Sequence, residues 1–411
     1  MSSRPRRSIG PSRRTVTALV FAVSWLPPAL LPSALAAHAS GSERAHIEQD
    51  GRGDTWTLTA GGARLTLHVD PESGYAVQSL QGPDGGRWLT KAAPDTSIVI
   101  RGNRLGFGRR DAGFEFEQAK TRTDGSRVRL DLAFVHRPSG LRATRHVAVV
   151  DDSPTFEVWT TLEALGEAVD VSDLNGVELT IPTGTVRWLN GLRGSTSDQG
   201  NPEAFLTQER VLGEGDRLTL GAQGRSSETT VPWVSVHGSD DEHPEEFYAG
   251  LLWSGAWGLE ATNTAEGLTL SIGLPGMTTR VEGRVVETPH VMFGVSEGGI
   301  PQAAAAMRQY LVNGVRSGRG FSPLVTYNTW FADGVRISDE SIRGEMRRVA
   351  GLGAELFVLD AGWYAGTGTD GIFDFSSGLG RWQPDPDRFP DGLRPLTEYA
   401  HALGMKFGVW V

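Results

Sequence analysis

The stretch ELFVLDAGWY, residues Glu355–Tyr364, decides how the C-terminal part of the chain reads. Leu356, Phe357, Val358 and Leu359 run without alternation, the pattern of a parallel strand buried on both faces. The run stops at a lone carboxylate, Asp360, followed by the small pair Ala361 and Gly362 and then by Trp363 and Tyr364. A buried strand that ends in a charge and a small-residue turn puts that charge where α/β barrels keep their functional groups.

The flanking sequence repeats the same grammar. Upstream, PLVTY is a short strand. Ser338 then caps a helix whose first turn carries Asp339 and Glu340, with Ile342, Met346, Val349 and Leu352 as its apolar stripe and Gly351 and Gly353 at its end. Downstream, a loop from Asp360 to about Asp391 leads to the helix GLRPLTEYAHAL, closed by Gly404, and to a third strand, MKFGVWV. Strand, helix, strand, helix, strand is the start of an α/β barrel or of an open α/β sheet. The sequence reaches Val411 inside the third strand, and three strands cannot close an eight-stranded barrel. The expectation is a fragment of a longer protein.

Residues 40–300 have a different period. Leu65, Leu67 and Val69 alternate, as do Val128, Leu130, Leu132 and Phe134, and again Leu268, Leu270, Ile272 and Leu274. Such alternation marks strands with one buried face, and PESG, GPDGG, RTDGS and RPSG supply turns between them. The reading is a large N-terminal β-sandwich, then a linker helix and loop over 301–320 opening at Pro301, then an incomplete (β/α)8 barrel over 321–411.

Composition narrows the function classes. A formal charge of -10, with Lys only at 91, 120 and 406, argues against nucleic acid as a partner. There are no cysteines, which excludes disulfides, thiol catalysis and thiolate metal sites. No phosphate loop or metal-ligand motif supports a cofactor. Five arginines within the first 14 residues precede TVTALVFAVSW and a small-residue site at Ala34–Ala36, the layout of a secretory signal over residues 1–39. SRRTV at Ser12–Val16 partly matches a twin-arginine signal, so either export route fits. Losing the five arginines takes the formal charge from -10 to -15. The expectation is a secreted, acidic protein that is not retained in the membrane.

Functional candidates lie at the three strand ends. Asn328 and Trp330 end the first, Asp360 and Trp363 the second, and Trp410 the third. One carboxylate and three indoles at one mouth suit a sugar, because carboxylate oxygens accept from hydroxyls and flat rings cover its C–H face. Each has a plainer reading: any one tryptophan can be core, and Asp360 can cap its own turn. Trp382 lies in the following loop, where Asp385, Asp387 and Asp391 stand beside prolines and read as turn formers. Asp151, Asp152 and Asp240–Glu242 read as loop charges.

YNTWFADGVRISDESI, AELFVLDAGWY and GRWQPDPDRFPDGLRPLTEYAHALGMKFGVWV resemble the melibiase-type α-galactosidases of glycoside hydrolase family 36. GRSSETTVPW, FYAGLLWSG and ETPHVMFGVSEGG extend the likeness into the β region. The resemblance implies a β-supersandwich, a catalytic (β/α)8 barrel and a small C-terminal β domain. It implies retaining hydrolysis of terminal α-galactosides without a cofactor, with a homo-oligomer as a common state. It also implies that Trp330 and Trp410 line the sugar pocket and that Asp360 holds galactose hydroxyls. Ala361 departs from the pattern, which has a second Asp there, and leaves the exact sugar open. The nucleophile of the family sits in a Lys-x-Asp motif on the fourth strand and its acid/base follows the sixth, so residues 1–411 carry neither. A sibling α-glycosidase, such as an α-N-acetylgalactosaminidase, and a non-catalytic carbohydrate-binding β module stand as alternatives.

Overall fold

The computed structural model describes residues 44–192, 202–238, 245–316, 319, 322–368 and 374–411. The segment read as a signal, 1–39, and the acids Asp240–Glu242 lie outside the described residues.

Three antiparallel sheets make up the β region among the described residues. The first is a meander of His46–Gln49, Thr55–Ala60, Ala63–Asp70 and Gly74–Gln81. Its central hairpin turns on Gly61 and Gly62, at φ 54° and 82°, a left-handed pair that only glycine adopts without strain. The second sheet runs in the order Thr207–Val211, Gly184–Asn190, Thr230–Gly238, Glu245–Leu252, His290–Glu297, Thr155–Ala164, Leu141–Val150, Arg127–His136 and Phe114–Asp124. The third is built on the long pair Val169–Ile181 and Gly267–Val281, with Trp257–Thr264 beyond one and Ser97–Ile100 beyond the other.

All three sheets share one apolar core. Leu58 and Leu65 come from the first, Leu130, Val147 and Phe293 from the second, and Val177, Leu259 and Leu270 from the third. The alternating positions named from sequence are buried, Leu65, Leu67 and Val69 among them, and so are those of the other two runs. GPDGG and RPSG fall between strands, PESG runs into Gly74 of the next strand, and RTDGS supplies only Gly125 and Ser126 to its turn because its first three residues belong to Phe114–Asp124. Asp151 and Asp152 lie in a turn.

Charge inside this core is paired. Arg145, fully buried, donates from Nε and Nη2 to Asp95 Oδ2, and the Tyr75 hydroxyl donates to Asp95 Oδ1 at 3.0 Å. A buried pair of this kind is costly to break because one partner is left uncompensated. The helix Ile300–Tyr310, with Pro301 in its first turn, packs back on the sandwich. Its Ala303 and Ala306 lie against Tyr248, and the Tyr310 hydroxyl donates to Glu157 Oε2 at 2.6 Å. No helix among the described residues is long and apolar enough to cross a membrane.

Beyond the helix, Thr326–Asn328, Leu356–Leu359 and Lys406–Val409 form a parallel sheet with Leu356–Leu359 at its centre. Helices Asp339–Gly351 and Arg394–Ala402 connect the strands. The Ser338 hydroxyl accepts from Ser341 N at 3.3 Å, which is the cap expected from sequence. Ile342, Met346, Val349, Phe357, Leu359, Leu396 and Ala400 form a second, separate core.

Two expectations need correction here. Leu352 is not part of the helix stripe. The helix stops at Gly351, Leu352 falls at its C-cap, and its side chain is 85% exposed. The central strand is parallel but alternates. Phe357 and Leu359 are buried under the helices, while Leu356 and Val358 on the other face are half-buried. The connecting helices pack on the Phe357 and Leu359 face, through Ile342, Met346, Leu396 and Ala400.

Candidate functional site

The C-terminal ends of the parallel strands bring the sequence candidates to one end of the sheet. Asn328, the last residue of its strand, ties two of them together. Its Nδ2 donates to Asp360 Oδ2 at 2.7 Å, and its Oδ1 accepts from Trp330 N at 2.8 Å. The first strand end thus orients both the carboxylate and the backbone of the first tryptophan. Asp360 N donates to the buried Thr329 hydroxyl at 3.0 Å, which holds the residue from its backbone as well.

Asp360 Oδ1 accepts from Ala361 N at 2.8 Å. Asp360 thus caps its own turn, as its plainer reading expects. One oxygen caps the turn and the other is aligned by an amide, while the half-buried carboxylate keeps lone pairs for a further donor. Ala361, where the resembled pattern has an Asp, is 1% exposed and belongs to the core under the sheet.

The turn after Asp360 is fixed by glycine. Gly362 sits at φ 104°, and a Cβ there would come 2.8 Å from Val335 Cα. Arg388 Nη1 locks the same place by donating to Gly362 O at 2.6 Å and Val335 O at 3.1 Å. Asp385 Oδ1 accepts from Asp387 N and Arg388 N, so this loop acid does form the turn expected of it.

The three tryptophans do not play one part. Trp330 and Trp410 are half-buried, and Phe375 stands edge-on to both, with ring centroids 5.5 and 5.7 Å away. Trp363 is buried, and its indole N–H donates to Trp410 O at 3.0 Å. Trp410 N in turn donates to Leu359 O at 2.9 Å, beside Asp360. Trp363 is thus a strut that sets the position of Trp410. Tyr364 is buried between the rings of Trp382 and Trp410 and donates to Phe375 O at 2.7 Å. Burial, and then the Asp360 charge, push its phenol above the usual range.

Sequence reasoning missed Thr329, Phe375 and Arg388. A hydroxyl between Asn328 and Trp330 was a weak signal for the first. The others act across a loop whose path no periodicity reveals. Among the described residues no three His, Asp or Glu side chains converge as metal ligands.

Residues 285–411 match the sequence profile of the Melibiase family. Over 236 residues the chain is 30% identical to probable α-galactosidase G of Emericella nidulans, which covers 54% of this chain and 31% of that protein. Over 221 residues it is 24% identical to α-galactosidase Mel36A of Lactobacillus acidophilus, covering 51% and 30%. The chain is similar in fold to the crystal structure of the GH36 α-galactosidase AgaB from Geobacillus stearothermophilus, with a TM-score of 0.69 at 18% identity over 89% of this chain and 56% of that one. The chain thus resembles α-galactosidases in sequence and GH36 α-galactosidases in fold. It spans about a third of those two curated relatives and somewhat over half of the solved structure. The likeness in sequence and in fold bears out the resemblance first carried by ELFVLDAGWY and its flanking motifs. A GH36 AgaA variant from the same organism, with a TM-score of 0.67 at 19% identity over 87% of this chain and 56% of that one, was solved in complex with raffinose.

Proposed function

We propose that the protein to which this chain belongs is a secreted retaining glycoside hydrolase that removes terminal α-galactosyl residues from oligosaccharides or glycoconjugates. The chain would contribute a β-supersandwich over residues 40–300, a linker over 301–320 and the first three strands of a (β/α)8 barrel over 321–411. The observation that carries the reading is the carboxylate of Asp360 at the end of the central parallel strand, aligned by Asn328 at 2.7 Å. Trp330 and Trp410, joined through Phe375, give the apolar walls that a sugar ring needs beside that acceptor.

In this reading Asp360 accepts galactose hydroxyls, Trp330 and Trp410 cover the ring face, and Trp363 holds Trp410 in place. Retaining hydrolysis takes two carboxyl groups about 5 Å apart, one as nucleophile and one as acid/base. Asp360 fills neither role, so residues 1–411 bind sugar without turning it over. The remaining strands of the barrel supply the pair.

A sibling α-glycosidase is the second reading, favoured by one observation. Ala361 is buried in the second core, so the site lacks a second acidic acceptor next to Asp360. Raising the whole gene product on a chromogenic α-galactoside and following the product by proton NMR tests the proposal. The α anomer of galactose is expected to form first. Release of the β anomer first, or turnover only of an N-acetylgalactosaminide, counts against it. Turnover by the 1–411 chain alone contradicts the assignment of the catalytic pair to later strands.

A further inference from the structure

The β region holds a sugar-sized cavity of its own. It measures about 250 Å³ and lies where the first sheet meets the strand Phe114–Asp124. Trp56, Phe116 and Phe134 form its aromatic wall, with Asp54, Asp70 and Arg110 around it. We propose that this cavity binds one neutral pyranose unit, stacked on Phe116 and held by Arg110 and Asp54.

Gly74, at φ 92°, and Gly108, at φ 68°, both line the cavity. A Cβ on Gly74 would lie 2.2 Å from Gly108 O, and one on Gly108 would lie 2.6 Å from Tyr75 Cβ. The two backbone segments therefore approach each other beside the cavity more closely than a side chain would allow. Pockets for drug-sized ligands run from about 300 Å³ upward. A smaller cavity suits a single ring.

The platform is placed deliberately. Phe116 is 39% exposed although it is a large apolar side chain. It sits at a β-bulge, where the register slips between Phe116 and Gln118. Bulges re-aim side chains. The extra residue, Glu117, is gripped by Arg142 through two bonds of 2.8 and 2.9 Å, which fixes the bulge. Trp56 and Phe134 brace the Phe116 ring at centroid distances of 6.3 and 5.3 Å.

The polar groups match a polyol. Asp70 Oδ1 already accepts from Glu72 N, Ser73 N and the Ser73 hydroxyl, so Asp70 shapes the turn. Asp54 Oδ1 accepts from the Thr55 hydroxyl and lies 3.6 Å from His68 Nδ1, and among the described residues no protein donor reaches its Oδ2. The guanidinium of Arg110 makes no ion pair or side-chain hydrogen bond among the described residues. One free acceptor and one free donor of opposite charge suit hydroxyls, and an exposed aromatic face suits the C–H side of the ring. The larger cavity of about 660 Å³ on the third sheet is lined by Thr219, Glu260 and Ser271 but by no aromatic ring, so it offers no such platform.

Saturation-transfer NMR of the chain with methyl α-D-galactopyranoside and methyl α-D-glucopyranoside tests the site. Trp330→Ala removes binding at the strand-end mouth and isolates this cavity. In that background, saturable binding of at least one probe is expected with a Kd of about 1 mM, weakened about tenfold or more by Phe116→Ala and by Arg110→Ala. Phe116→Trp is expected to retain it. Arg110 is exposed, so its variant keeps the test valid if Phe116→Ala disturbs the hairpin. The proposal is overturned if neither probe saturates in the Trp330→Ala background, or if both variants leave binding unchanged. Loss of binding by Trp330→Ala alone would instead speak for the mouth and against this cavity.

Discussion

Trp159 in the sandwich and Trp410 at the strand ends both sit among charged or polar groups, yet they are built for opposite ends. Trp159 is buried between the rings of His146 and His290, at 4.8 and 4.3 Å, with the guanidinium groups of Arg127 and Arg129 near its ring. Every charge around it meets another: Glu157 takes His290, Arg127 and the Tyr310 hydroxyl, and Asp131 takes His146 and Arg129. At the mouth, Trp330 and Trp410 are half-buried and Asp360 is aligned by one side chain, with room to accept more. The denser cluster is the structural one. What sets Asp360 apart is an oriented but unfinished hydrogen-bond set, whatever the number of charges nearby.

The contrast breaks most visibly at Arg145. Arg145→Ala leaves the Asp95 charge buried and is expected to cost about 3–5 kcal/mol in denaturant unfolding. A loss below about 1 kcal/mol would mean that the sandwich charges are not closed pairs.

A smaller effect is expected at the turn that aims Asp360. Gly362→Ala forces a positive φ and a contact with Val335, at a cost of about 1–3 kcal/mol. Because the turn carries Asp360, sugar binding should weaken along with the melting temperature. Unchanged stability and binding would show that the turn tolerates a Cβ.

The smallest effect is in pH. Burial alone would raise Glu157, but His290, Arg127 and Tyr310 together bring it below its ordinary 4.5. Burial would lower His290, but Glu157 and Glu287 outweigh it and bring it above 6.5. The Glu157 contribution is present above 4.5 and fades as pH falls through the lowered value. The His290 contribution is present below 6.5 and fades as pH rises through the raised value. The melting temperature should therefore be highest between about 4.5 and 6.5 for this pair. Glu157→Gln should flatten both flanks of the profile, and an unaltered profile would remove the pair from the account.

Much of this contrast was legible in the sequence. Period-two runs located the sandwich strands because each buries one face, and Ser338, Pro301 and Gly404 marked helix ends through local chemistry. Asp360 stood out because a charge follows four apolar residues. Trp363 could not be told from Trp410 by position, since burial depends on which strand end its loop folds over. Arg388 and Phe375 were illegible for the same reason. Their partners lie across a loop rich in Gly and Pro, where no repeat fixes direction. Leu352 misled because the helix period was extended one residue past its glycine stop.

The most direct test of Asp360 as a ligand-binding group is to measure unfolding and galactoside binding side by side for Asp360→Asn. The amide keeps the shape but loses the charged acceptor and turns its NH2 onto a donor, Asn328 Nδ2 or Ala361 N, so stability should fall by about 1–3 kcal/mol while the affinity of the still-folded variant falls about tenfold to a hundredfold. Unchanged binding by the folded variant would make Asp360 a turn cap alone and contradict the account.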